Sequence, residues 1–325
     1  MKRPRAILCA LAALAFAGIV LSAGCTDLPP IPDPQEHRVE RATGRFIVYG
    51  DTRRGMPFEG VLRATQFDRE RQAVAARLLV EKPDFVLHSG DLVGRGSSGA
   101  QWRDEWDAAM RPLVDAKVPL FMAWGNHEYF ADPGEAARHI HSRFPHLNGE
   151  HWYGIRYDRV LIAVLDSNFE ELRDADSANC ARQEAWLARA IAAAQADDTV
   201  GVVLLVFHHA PYTNSSVHNP NEEAQKAFLE RGKRSTKVRA SITGHVHNYE
   251  RFLIDGTHHV VAGGGGAPKT KVNVASPRFK DQFEGPETRP FQYCLFTVEP
   301  KRIVVDVMML KDDGSWYRGD GFTIE

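Results

Sequence analysis

The chain has 325 residues, 43% of them hydrophobic, and its 40 Lys and Arg nearly balance 42 Asp and Glu for a net charge of −2. That is enough apolar material for a large core and excludes a disordered chain, while the even charge, with no basic block, argues against a nucleic-acid partner. Four cysteines, none at zinc-ligand spacing, are too few for a disulfide-built scaffold.

The first residues read as an export signal. Lys2, Arg3 and Arg5 form a positive start, Ile7 to Leu21 is uncharged and apolar, and Leu21-Ser22-Ala23-Gly24-Cys25 closes it. This resembles a bacterial lipoprotein signal, residues 1–25, in which Cys25 becomes the lipidated N-terminus and the membrane attachment. An ordinary cleaved signal or an uncleaved anchor is the alternative; uncleaved, Ile7 to Ala23 is only just long enough to span a bilayer. Residues 26–42, with Pro29, Pro30, Pro32 and Pro34, read as an extended tether. Residues 43–325 show no second domain boundary and read as one domain. The expected location is the cell envelope, exported and lipid-anchored on the periplasmic side, where Cys180 and Cys294 would be a disulfide or two buried thiols.

The predicted elements alternate. Arg45 to Tyr49 is a strand ending at Gly50-Asp51; a helix follows from about Thr65 to Val80, and Phe85 to Leu87 ends at Ser89-Gly90-Asp91. A second helix near Trp102 to Leu113 leads to a strand from Pro119 to Trp124 and then Gly125-Asn126-His127-Glu128. This is the pattern of an α/β sheet with parallel neighbours. Trp152 to Tyr157 and Val160 to Leu165 form a hairpin turning at Asp158-Arg159, and Ala181 to Ala194 is a helix. Val200 to Phe207 is a buried strand ending at His208-His209, and Ala240 to Thr243 precedes Gly244-His245-Val246-His247. Strands around Phe252 to Ile254, His258 to Ala262, Gln292 to Val298 and Ile303 to Met309 suggest a second sheet packed on the first.

Each of the five polar clusters lies just past a strand, where the crevice of an open α/β sheet forms. Together they supply two carboxylates, a carboxamide oxygen and several imidazoles, the ligand set for a pair of metal ions. Hard oxygens mixed with imidazoles suit manganese, iron or zinc better than calcium.

In this order the clusters resemble the calcineurin-like metallophosphoesterase superfamily over Gly44 to Glu325. Gly244-His245-Val246-His247-Asn248-Tyr249-Glu250-Arg251 and Gly263-Gly264-Gly265-Gly266-Ala267-Pro268 are similar to segments of its purple acid phosphatase branch. The resemblance implies a two-sheet β-sandwich flanked by helices, with two metal ions at its edge. Asp91 would bridge them, Asp51 and His247 would hold the first, and Asn126, His209 and His245 the second. His209 is chosen over His208 because it begins His209-Ala210-Pro211; His208 would then point away. His127 would sit beside the leaving-group oxygen. His218 matches a substrate-contacting histidine, or is a surface residue.

Two positions depart from the pattern. The superfamily commonly reads Asp-x-His where this chain has Asp51-Thr52-Arg53, and the tyrosine that purple acid phosphatases use instead corresponds to Gly94. An arginine has no lone pair to give a metal, so the first site is expected to be weak or open. Arg53 would either hold a phosphoryl oxygen two-pronged or pair with a nearby carboxylate. The implied activity is hydrolysis of a small phosphate ester by metal-activated water; monoester and diester substrates stay open, as does a non-catalytic, anchored binding module. The loop Asp132 to His151 carries His139, His141, His146 and His151, read as surface residues, with extra polar contacts near the cleft as the alternative.

Overall fold

The computed structural model describes residues 27–56, 59 and 64–325. The signal segment and Cys25 lie outside the described residues, and among the described residues no helix is long and apolar enough to cross a membrane.

Two mixed sheets form the molecule. One has six strands, ordered β13 (Trp316–Ile324), β12 (Ile303–Leu310), β11 (Gln292–Val298), β2 (Arg45–Tyr49), β3 (Phe85–His88) and β4 (Leu120–Met122). The other has seven, ordered β1 (Glu36–Val39), β5 (Tyr153–Tyr157), β6 (Val160–Val164), β7 (Val202–Val206), β8 (Val238–Thr243), β10 (Thr257–Ala262) and β9 (Tyr249–Ile254). Within them β2, β3 and β4 run parallel, as do β6, β7 and β8. The C-terminal ends of these strands therefore gather at one edge.

The strands are apolar throughout because both faces are covered. Side chains alternate across a strand. Ile162, Val164, Val202, Leu204 and Val206 thus join the core shared by the two sheets. Their neighbours Leu161, Ala163, Val203 and Leu205 pack instead with Leu187 and Ile191 of the helix Asn179–Ala196. Phe46 stacks between Phe85 and Phe296 and meets Tyr157 of the other sheet edge-on. Tyr49, on the opposite face of β2, puts its hydroxyl against Met110 of the helix Ala108–Asp115.

Several expectations are corrected. The stretch read as a tether is structured: Ile31 is buried beside Trp152, and residues 36–39 pair in parallel with β5. The final third does not form one sheet; β9 and β10 join the seven-stranded sheet, while β11, β12 and the unforeseen β13 join β2. The loop Asp132 to His151 contains a helix, Pro133–Arg143, whose first turn is capped by Asp132 accepting from the Glu135 amide at 2.8 Å. Within that loop His151 is buried, not on the surface, stacked on Trp124 and bonded to Asp166 and Tyr129. Of the two readings left open for Cys180 and Cys294, free thiols are the one seen, with Cys294 buried and Cys180 partly so.

Candidate metal centre

The site lies where the two sheets present their strand ends. β2, β3 and β4 deliver Asp51, Asp91 and Asn126 from one sheet; β7 and β8 deliver His208, His209, His245 and His247 from the other. Turning side chains back over a strand end costs backbone freedom. Asp51, Asp91, His245 and His247 all hold left-handed backbone, with φ of 61°, 60°, 70° and 52°. Each such position costs of order 1 kcal/mol or more and persists where the surroundings dictate it. Gly90 has φ 99°, and a β-carbon there would lie 2.5 Å from His208 Nδ1 and 2.9 Å from the Gly125 backbone. Only glycine lets β3 and β4 approach so closely.

One group of ligands is tight. His208 Nε2 lies 3.0 Å from Asn126 Oδ1, 3.2 Å from Asp91 Oδ1 and 3.3 Å from His245 Nδ1, and Asn126 Oδ1 lies 3.1 Å from His245 Nδ1. His208 Nδ1 faces the Ser89 carbonyl at 2.9 Å and must donate to it, which leaves Nε2 as the ring's lone pair. Four acceptor-type atoms at mutual contact need a cation among them, so the donor set fits a metal ion. In its absence a proton takes the place. Burial opposes charge on His208, but Asp91 and Asp51 outweigh it and raise its pKa to about 9. Burial likewise pushes Asp91 up, and His208 and His127 more than reverse this, holding it well below the usual range. His208 thus points into the cluster, contrary to the expectation that it turns away. His209 is also within metal-sharing reach of His208 and His245. Its Nδ1 meets the Ser167 hydroxyl at 2.9 Å, and burial, then His208, lowers its pKa to about 3.

The other group, Asp51, Asp91 and His247, is looser. Both Asp51 oxygens accept from the His245 amide at 3.0 Å. His247 Nδ1 donates to the Pro268 carbonyl at 2.8 Å, and its Nε2 lies 3.5 Å from Asp51 Oδ1. Burial, then Arg53, lowers the His247 pKa to about 3, so the ring is a neutral donor of its lone pair. Burial dominates Asp51 and raises it well above the ordinary carboxylate value.

Arg53 is only 3% exposed and lies in this second group. Its Nη1 and Nη2 grip the two oxygens of Glu59, its Nη2 lies 3.4 Å from His247 Nε2, and its Nε lies 3.5 Å from Asp91 Oδ2. Of the two roles left open for Arg53, pairing with a carboxylate is the one seen. Its two-pronged face is committed to Glu59.

His127 Nδ1 faces the Gly94 carbonyl at 2.6 Å and donates to it, so Nε2 is turned toward the site, 3.9 Å from Asp91 Oδ2. Its amide donates to Asp91 Oδ1 at 3.1 Å. Burial, partly offset by Asp91, lowers its pKa. His218 stands over the centre with its ring 4.5 Å from that of His245. A cleft of about 690 Å³ opens here, lined by Arg53, His127, His218 and His245, with Phe130 and Lys269 on its walls.

Glu128, to which the sequence pattern assigns no role, organises the centre. Fully buried, it accepts from the amides of Asp91 and Gly125 at 2.8 Å and of Leu92 at 2.9 Å. Burial, then the nearby Asp91, raises its pKa to about 7. Its membership in Gly125-Asn126-His127-Glu128 was the available signal. Glu105 similarly accepts from the amides of Arg54 and Gly94 at 2.9 Å.

The chain is 22% identical over 286 residues to a probable inactive purple acid phosphatase 1 of Arabidopsis thaliana, covering 76% of this chain and 44% of that protein. It thus spans under half the length of that relative. It is 23% identical over 337 residues to a nucleotide pyrophosphatase/phosphodiesterase of Hordeum vulgare, covering 91% and 85% of the two. Among solved structures, GAP50, the anchor in the inner membrane complex of Plasmodium, superposes with a TM-score of 0.64 at 14% identity, covering 86% of this chain and 88% of that one. A dimetal phosphatase from Danio rerio superposes with a TM-score of 0.58 at 15% identity, covering 86% and 98%. These likenesses establish the fold. With residues 44–249 matching it, the chain belongs to the calcineurin-like phosphoesterase family.

Proposed function

We propose that the protein is a metal-dependent phosphoesterase that hydrolyses a small phosphate ester by attack of activated water. The observation that carries this reading is the convergence of His208 Nε2, Asn126 Oδ1, His245 Nδ1 and Asp91 Oδ1 within 3.0–3.3 Å contacts at the floor of a cleft. These residues, with His209, would hold one ion; Asp51, Asp91 and His247 would hold a second more weakly. Iron, manganese or zinc fits the mixed donors. A bound ion supplies Lewis acidity and brings the pKa of water toward ~7.

The chain's own residues divide the remaining work. His127, oriented by Gly94, presents Nε2 to the departing oxygen, and His218 contacts the substrate from the cleft wall. Arg53 adds positive charge beside Asp91. No covalent intermediate on the protein is required. The residues ahead of the domain serve export, with lipid at Cys25 anchoring the protein on the periplasmic side of a bacterial envelope.

The name of the Hordeum relative favours a diester as a second reading, and the inactive Arabidopsis relative a non-catalytic binding module as a third. Protein starting at residue 26, supplied with manganese, iron or zinc, is expected to hydrolyse p-nitrophenyl phosphate or its bis-ester. Rates measured side by side on the two decide between monoester and diester. Full metal content and activity in Asp91→Asn or His245→Ala would overturn the assignment.

A further inference from the structure

We infer that Arg53 stands in for the first metal ion, so that the protein holds one tightly bound ion per chain and a guanidinium in place of the other. The inference rests on the phosphoesterase reading above but concerns a different quantity, the number of ions.

Asp51, Asp91 and His247 are three ligands of the loose group, and two of them already face Arg53. His247 has one lone pair, on Nε2, because Nδ1 donates to the Pro268 carbonyl. That lone pair lies 3.4 Å from Arg53 Nη2. Asp91 turns Oδ1 toward His208 and leaves Oδ2 for the first site, and Oδ2 lies 3.5 Å from Arg53 Nε. Arg53 Nε is buried and makes no hydrogen bond, so its proton is directed at this space without a closer acceptor. The donors an ion would need are thus turned to a fixed positive charge.

Results

Sequence analysis

The chain has 325 residues, 43% of them hydrophobic, and its 40 Lys and Arg nearly balance 42 Asp and Glu for a net charge of −2. That is enough apolar material for a large core and excludes a disordered chain, while the even charge, with no basic block, argues against a nucleic-acid partner. The four cysteines, none at zinc-ligand spacing, are too few for a disulfide-built scaffold.

The first residues read as an export signal. Lys2, Arg3 and Arg5 form a positive start, Ile7 to Leu21 is uncharged and apolar, and Leu21-Ser22-Ala23-Gly24-Cys25 closes it. This resembles a bacterial lipoprotein signal, residues 1–25, in which Cys25 becomes the lipidated N-terminus and the membrane attachment. An ordinary cleaved signal or an uncleaved anchor is the alternative; uncleaved, Ile7 to Ala23 is only just long enough to span a bilayer. Residues 26–42, with Pro29, Pro30, Pro32 and Pro34, read as an extended tether. Residues 43–325 show no second domain boundary and read as one domain. The expected location is the cell envelope, exported and lipid-anchored on the periplasmic side, where Cys180 and Cys294 would be a disulfide or two buried thiols.

The predicted elements alternate. Arg45 to Tyr49 is a strand ending at Gly50-Asp51; a helix follows from about Thr65 to Val80, and the strand Phe85 to Leu87 ends at Ser89-Gly90-Asp91. A second helix near Trp102 to Leu113 leads to a strand from Pro119 to Trp124 and then Gly125-Asn126-His127-Glu128. This is the pattern of an α/β sheet with parallel neighbours. Trp152 to Tyr157 and Val160 to Leu165 form a hairpin turning at Asp158-Arg159, and Ala181 to Ala194 is a helix. Val200 to Phe207 is a buried strand ending at His208-His209, and Ala240 to Thr243 precedes Gly244-His245-Val246-His247. Strands around Phe252 to Ile254, His258 to Ala262, Gln292 to Val298 and Ile303 to Met309 suggest a second sheet packed on the first.

Each of the five polar clusters lies just past a strand, where the crevice of an open α/β sheet forms. Together they supply two carboxylates, a carboxamide oxygen and several imidazoles, the ligand set for a pair of metal ions. Hard oxygens mixed with imidazoles suit manganese, iron or zinc better than calcium.

In this order the clusters resemble the calcineurin-like metallophosphoesterase superfamily over Gly44 to Glu325. Gly244-His245-Val246-His247-Asn248-Tyr249-Glu250-Arg251 and Gly263-Gly264-Gly265-Gly266-Ala267-Pro268 are similar to segments of its purple acid phosphatase branch. The resemblance implies a two-sheet β-sandwich flanked by helices, with two metal ions at its edge. Asp91 would bridge them, Asp51 and His247 would hold the first, and Asn126, His209 and His245 the second. His209 is chosen over His208 because it begins His209-Ala210-Pro211; His208 would then point away. His127 would sit beside the leaving-group oxygen. His218 matches a substrate-contacting histidine, or is a surface residue.

Two positions depart from the pattern. The superfamily commonly reads Asp-x-His where this chain has Asp51-Thr52-Arg53, and the tyrosine that purple acid phosphatases use instead corresponds to Gly94. An arginine has no lone pair to give a metal, so the first site is expected to be weak or open. Arg53 would either hold a phosphoryl oxygen two-pronged or pair with a nearby carboxylate. The implied activity is hydrolysis of a small phosphate ester by metal-activated water. Monoester and diester substrates stay open, as does a non-catalytic, anchored binding module. The loop Asp132 to His151 carries His139, His141, His146 and His151, read as surface residues, with extra polar contacts near the cleft as the alternative.

Overall fold

The computed structural model describes residues 27–56, 59 and 64–325. The signal segment and Cys25 lie outside the described residues, and among the described residues no helix is long and apolar enough to cross a membrane.

Two mixed sheets form the molecule. One has six strands, ordered β13 (Trp316–Ile324), β12 (Ile303–Leu310), β11 (Gln292–Val298), β2 (Arg45–Tyr49), β3 (Phe85–His88) and β4 (Leu120–Met122). The other has seven, ordered β1 (Glu36–Val39), β5 (Tyr153–Tyr157), β6 (Val160–Val164), β7 (Val202–Val206), β8 (Val238–Thr243), β10 (Thr257–Ala262) and β9 (Tyr249–Ile254). Within them β2, β3 and β4 run parallel, as do β6, β7 and β8. The C-terminal ends of these strands therefore gather at one edge.

The strands are apolar throughout because both faces are covered. Side chains alternate across a strand. Ile162, Val164, Val202, Leu204 and Val206 thus join the core shared by the two sheets. Their neighbours Leu161, Ala163, Val203 and Leu205 pack instead with Leu187 and Ile191 of the helix Asn179–Ala196. Phe46 stacks on Phe85 and Phe296 and meets Tyr157 of the other sheet edge-on. Tyr49, on the opposite face of β2, puts its hydroxyl against Met110 of the helix Ala108–Asp115.

Several expectations are corrected. The stretch read as a tether is structured: Ile31 is buried in a core cluster with Trp152, and residues 36–39 pair in parallel with β5. The final third does not form one sheet; β9 and β10 join the seven-stranded sheet, while β11 pairs with β2 and carries β12 and the unforeseen β13. The loop Asp132 to His151 contains a helix, Pro133–Arg143, whose first turn is capped by Asp132 accepting from the Glu135 amide at 2.8 Å. Within that loop His151 is buried, not on the surface, stacked on Trp124 and bonded to Asp166 and Tyr129. Of the two readings left open for Cys180 and Cys294, free thiols are the one seen, with Cys294 buried and Cys180 partly so.

Candidate metal centre

The site lies where the two sheets present their strand ends. β2, β3 and β4 deliver Asp51, Asp91 and Asn126 from one sheet; β7 and β8 deliver His208, His209, His245 and His247 from the other. Turning side chains back over a strand end constrains the backbone. Asp51, Asp91, His245 and His247 all hold left-handed conformations, with φ of 61°, 60°, 70° and 52°. Each such position costs of order 1 kcal/mol or more and persists only where the surroundings dictate it. Gly90 has φ 99°, and a β-carbon there would lie 2.5 Å from His208 Nδ1 and 2.9 Å from the Gly125 backbone. Only glycine lets the turns after β3 and β4 approach so closely.

One group of ligands is tight. His208 Nε2 lies 3.0 Å from Asn126 Oδ1, 3.2 Å from Asp91 Oδ1 and 3.3 Å from His245 Nδ1, and Asn126 Oδ1 lies 3.1 Å from His245 Nδ1. His208 Nδ1 faces the Ser89 carbonyl at 2.9 Å and must donate to it, which leaves Nε2 as the ring's lone pair. Four acceptor-type atoms at mutual contact need a cation among them, so the donor set fits a metal ion. A proton answers the same need: burial opposes charge on His208, but Asp91 and Asp51 outweigh it and raise its pKa to about 9. Burial likewise pushes Asp91 up, and His208 and His127 more than reverse this, holding it well below the usual range. His208 thus points into the cluster, contrary to the expectation that it turns away. His209 also lies within metal-sharing reach of His208 and His245. Its Nδ1 meets the Ser167 hydroxyl at 2.9 Å, and burial, then His208, lowers its pKa to about 3.

The other group, Asp51, Asp91 and His247, is looser. Both Asp51 oxygens accept from the His245 amide at 3.0 Å. His247 Nδ1 donates to the Pro268 carbonyl at 2.8 Å, and its Nε2 lies 3.5 Å from Asp51 Oδ1. Burial, then Arg53, lowers the His247 pKa to about 3, so the ring is neutral and keeps a lone pair. Burial dominates Asp51 and raises it well above the ordinary carboxylate value.

Arg53 is only 3% exposed and lies beside this looser group. Its Nη1 and Nη2 grip the two oxygens of Glu59, its Nη2 lies 3.4 Å from His247 Nε2, and its Nε lies 3.5 Å from Asp91 Oδ2. Of the two roles left open for Arg53, pairing with a carboxylate is the one seen. Its two-pronged face is committed to Glu59.

His127 Nδ1 faces the Gly94 carbonyl at 2.6 Å and donates to it, so Nε2 is turned toward the site, 3.9 Å from Asp91 Oδ2. Its amide donates to Asp91 Oδ1 at 3.1 Å. Burial, partly offset by Asp91, lowers its pKa. His218 stands over the centre with its ring 4.5 Å from that of His245. A cleft of about 690 Å³ opens here, lined by Arg53, His127, His218 and His245, with Phe130 and Lys269 on its walls.

Glu128, to which the sequence pattern assigns no role, organises the centre. Fully buried, it accepts from the amides of Asp91 and Gly125 at 2.8 Å and of Leu92 at 2.9 Å. Burial, then the nearby Asp91, raises its pKa to about 7. Its membership in Gly125-Asn126-His127-Glu128 is the signal that could have found it. Glu105 similarly accepts from the amides of Arg54 and Gly94 at 2.9 Å.

The chain is similar to known proteins in sequence and in fold. The chain is 22% identical over 286 residues to probable inactive purple acid phosphatase 1 of Arabidopsis thaliana, covering 76% of this chain and 44% of that protein. It thus spans under half the length of that relative. It is 23% identical over 337 aligned residues to a nucleotide pyrophosphatase/phosphodiesterase of Hordeum vulgare, covering 91% and 85% of the two. Among solved structures, GAP50, the anchor in the inner membrane complex of Plasmodium, superposes with a TM-score of 0.64 at 14% identity, covering 86% of this chain and 88% of that one. A dimetal phosphatase from Danio rerio superposes with a TM-score of 0.58 at 15% identity, covering 86% and 98%. These structural likenesses establish the fold. With residues 44–249 matching it, the chain belongs to the calcineurin-like phosphoesterase family.

Proposed function

We propose that the protein is a metal-dependent phosphoesterase that hydrolyses a small phosphate ester by attack of activated water. The observation that carries this reading is the convergence of His208 Nε2, Asn126 Oδ1, His245 Nδ1 and Asp91 Oδ1, in contacts of 3.0 to 3.3 Å, at the floor of a cleft. These residues, with His209, would hold one ion; Asp51, Asp91 and His247 would hold a second more weakly. Iron, manganese or zinc fits the mixed donors. A bound ion supplies Lewis acidity and brings the pKa of water toward ~7.

The chain's own residues divide the remaining work. His127, oriented by Gly94, presents Nε2 to the departing oxygen, and His218 contacts the substrate from the cleft wall. Arg53 adds positive charge beside Asp91. No covalent intermediate on the protein is required. The residues ahead of the domain serve export, with lipid at Cys25 anchoring the protein on the periplasmic side of a bacterial envelope.

The name of the Hordeum relative favours a diester as a second reading, and that of the Arabidopsis relative a non-catalytic binding module as a third. Protein starting at residue 26, supplied with manganese, iron or zinc, is expected to hydrolyse p-nitrophenyl phosphate or its bis-ester. Rates measured side by side on the two decide between monoester and diester. Full metal content and activity in Asp91→Asn or His245→Ala would overturn the assignment.

A further inference from the structure

We infer that Arg53 stands in for the first metal ion, so that the protein holds one tightly bound ion per chain and a guanidinium in place of the other. The inference rests on the phosphoesterase reading above but concerns a different quantity, the number of ions.

Asp51, Asp91 and His247 are the ligands of the loose group, and two of them already face Arg53. His247 has one free lone pair, on Nε2, because Nδ1 donates to the Pro268 carbonyl. That lone pair lies 3.4 Å from Arg53 Nη2. Asp91 turns Oδ1 toward His208 and leaves Oδ2 for the first site, and Oδ2 lies 3.5 Å from Arg53 Nε. Arg53 Nε is buried and makes no hydrogen bond, so its N–H is directed at this space without a closer acceptor. The donors an ion would need are thus turned to a fixed positive charge.

The guanidinium is held there. Glu59 grips it through two nitrogens, and Nη1 also donates to the Arg54 carbonyl at 3.1 Å. The Arg53 amide donates to the Asp91 carbonyl at 3.2 Å, which fixes the root of the side chain two residues from Asp51. A guanidinium keeps its charge at any pH at which the protein folds. It therefore keeps a permanent positive charge beside Asp91 Oδ2, and it repels a second cation brought to the same oxygen. The tight group has no such occupant: the basic side chains bordering it are imidazoles, which can lose a proton when an ion binds.

The test is metal counting on the chain from residue 26, reconstituted with manganese or zinc and desalted. Elemental analysis should find one ion per chain, and calorimetric titration should show any second ion binding at least 100-fold more weakly than the first. Arg53→Ala and Arg53→His should each raise the retained metal to two per chain. Two ions of similar affinity in the unaltered protein would overturn the inference and leave the phosphoesterase reading intact. So would an Arg53→Ala protein that is folded by circular dichroism yet retains only one. Manganese loaded at one equivalent gives a second readout independent of any variant: electron paramagnetic resonance should show an isolated ion, and an exchange-coupled pair refutes the substitution. No retained metal at all would instead remove the phosphoesterase reading on which the inference rests.

Discussion

The two halves of the centre use nearly the same residue types and reach different states. Around His208 the ligand atoms close to 3.0–3.3 Å, and the Ser89 carbonyl on its other ring nitrogen fixes the aim of His208. Around His247 the nearest carboxylate contact is 3.5 Å, and a guanidinium stands 3.4 Å from the ring. The difference teaches that ligand identity alone does not make a metal site. What else lies within a Coulomb length of the donors matters as much. A divalent ion ~4 Å from a guanidinium meets about 8 kcal/mol of repulsion at an effective dielectric of ~20, before Glu59 and Asp51 offset it. That is large enough to decide between occupied and empty.

The sharpest way to break this comparison is to remove one histidine from each half. His245→Ala should abolish retained metal and lower kcat by ~1000-fold or more, since the water-activating ion is lost. His247→Ala should leave the retained metal unchanged and lower kcat by only ~10-fold. Equal loss of metal in both variants would show the halves to be equivalent. His127→Ala comes next, with an expected fall in kcat of ~100-fold at full metal content, the usual scale of a positioned acid–base group. Its effect should shrink for p-nitrophenyl phosphate relative to an alkyl ester, because a good leaving group needs little help; steady-state rates on both substrates check this.

Glu128 sharpens the comparison differently, because it serves both halves. It fixes the amide of Asp91, the shared carboxylate, and ties it to Gly125 beside Asn126. A glutamine can turn only one oxygen to these three amides, leaving buried donors unmatched. Glu128→Gln should cost about 2–4 kcal/mol of stability, lowering the urea midpoint, and should weaken metal retention and turnover together. Loss of stability with turnover intact would mean that Asp91 keeps its place without this support.

Much of this was legible in the sequence, for identifiable reasons. Short runs rich in β-branched residues, such as Val202–Val206, fit strands covered on both faces, and a polar cluster after each run marks the strand end. The two-sheet architecture and the gathering of Asp51, Asp91, Asn126, His209, His245 and His247 follow from that pattern and the family resemblance. The orientation of His208 does not. Alternation puts consecutive residues on opposite faces only while the strand lasts, and β7 ends at Val206, so both rings of His208-His209 reach the same ligand group. The Arg53–Glu59 contact joins residues six positions apart, a spacing that neither the helical nor the strand period brings together. β1 was hidden because Glu36–Val39 is polar and half-exposed, its pairing supplied by backbone to β5 and by His37 meeting Glu150 at 2.7 Å.

The smallest expected effect comes from the far end of β3, where Asp84 provides an outside control on Asp91. Both are carboxylates receiving backbone amides at the ends of one strand, but Asp84 only staples the chain. It accepts from the amides of Ala42 and Thr43 at 3.0 and 2.9 Å, from the Thr43 hydroxyl at 2.9 Å, and from the Tyr157 hydroxyl. Partial burial pushes its pKa up, but the Tyr157 hydroxyl and the Thr43 donors outweigh this and hold it below the ordinary value of 3.8. A carboxyl lowered in the folded state stabilises the protein fully above its unfolded pKa. That stability fades as pH falls below about 4 and through the lowered folded value. Solvent screening keeps the effect small, so Asp84→Asn should cost only ~1 kcal/mol at pH 7. It should also flatten the acid limb of the stability curve between about pH 4 and 2. Metal content and kcat at pH 7 should not move. If they fall as they do for Glu128→Gln, the strand transmits strain from one end to the other, and the separation drawn between holding the fold and holding the ion fails at β3.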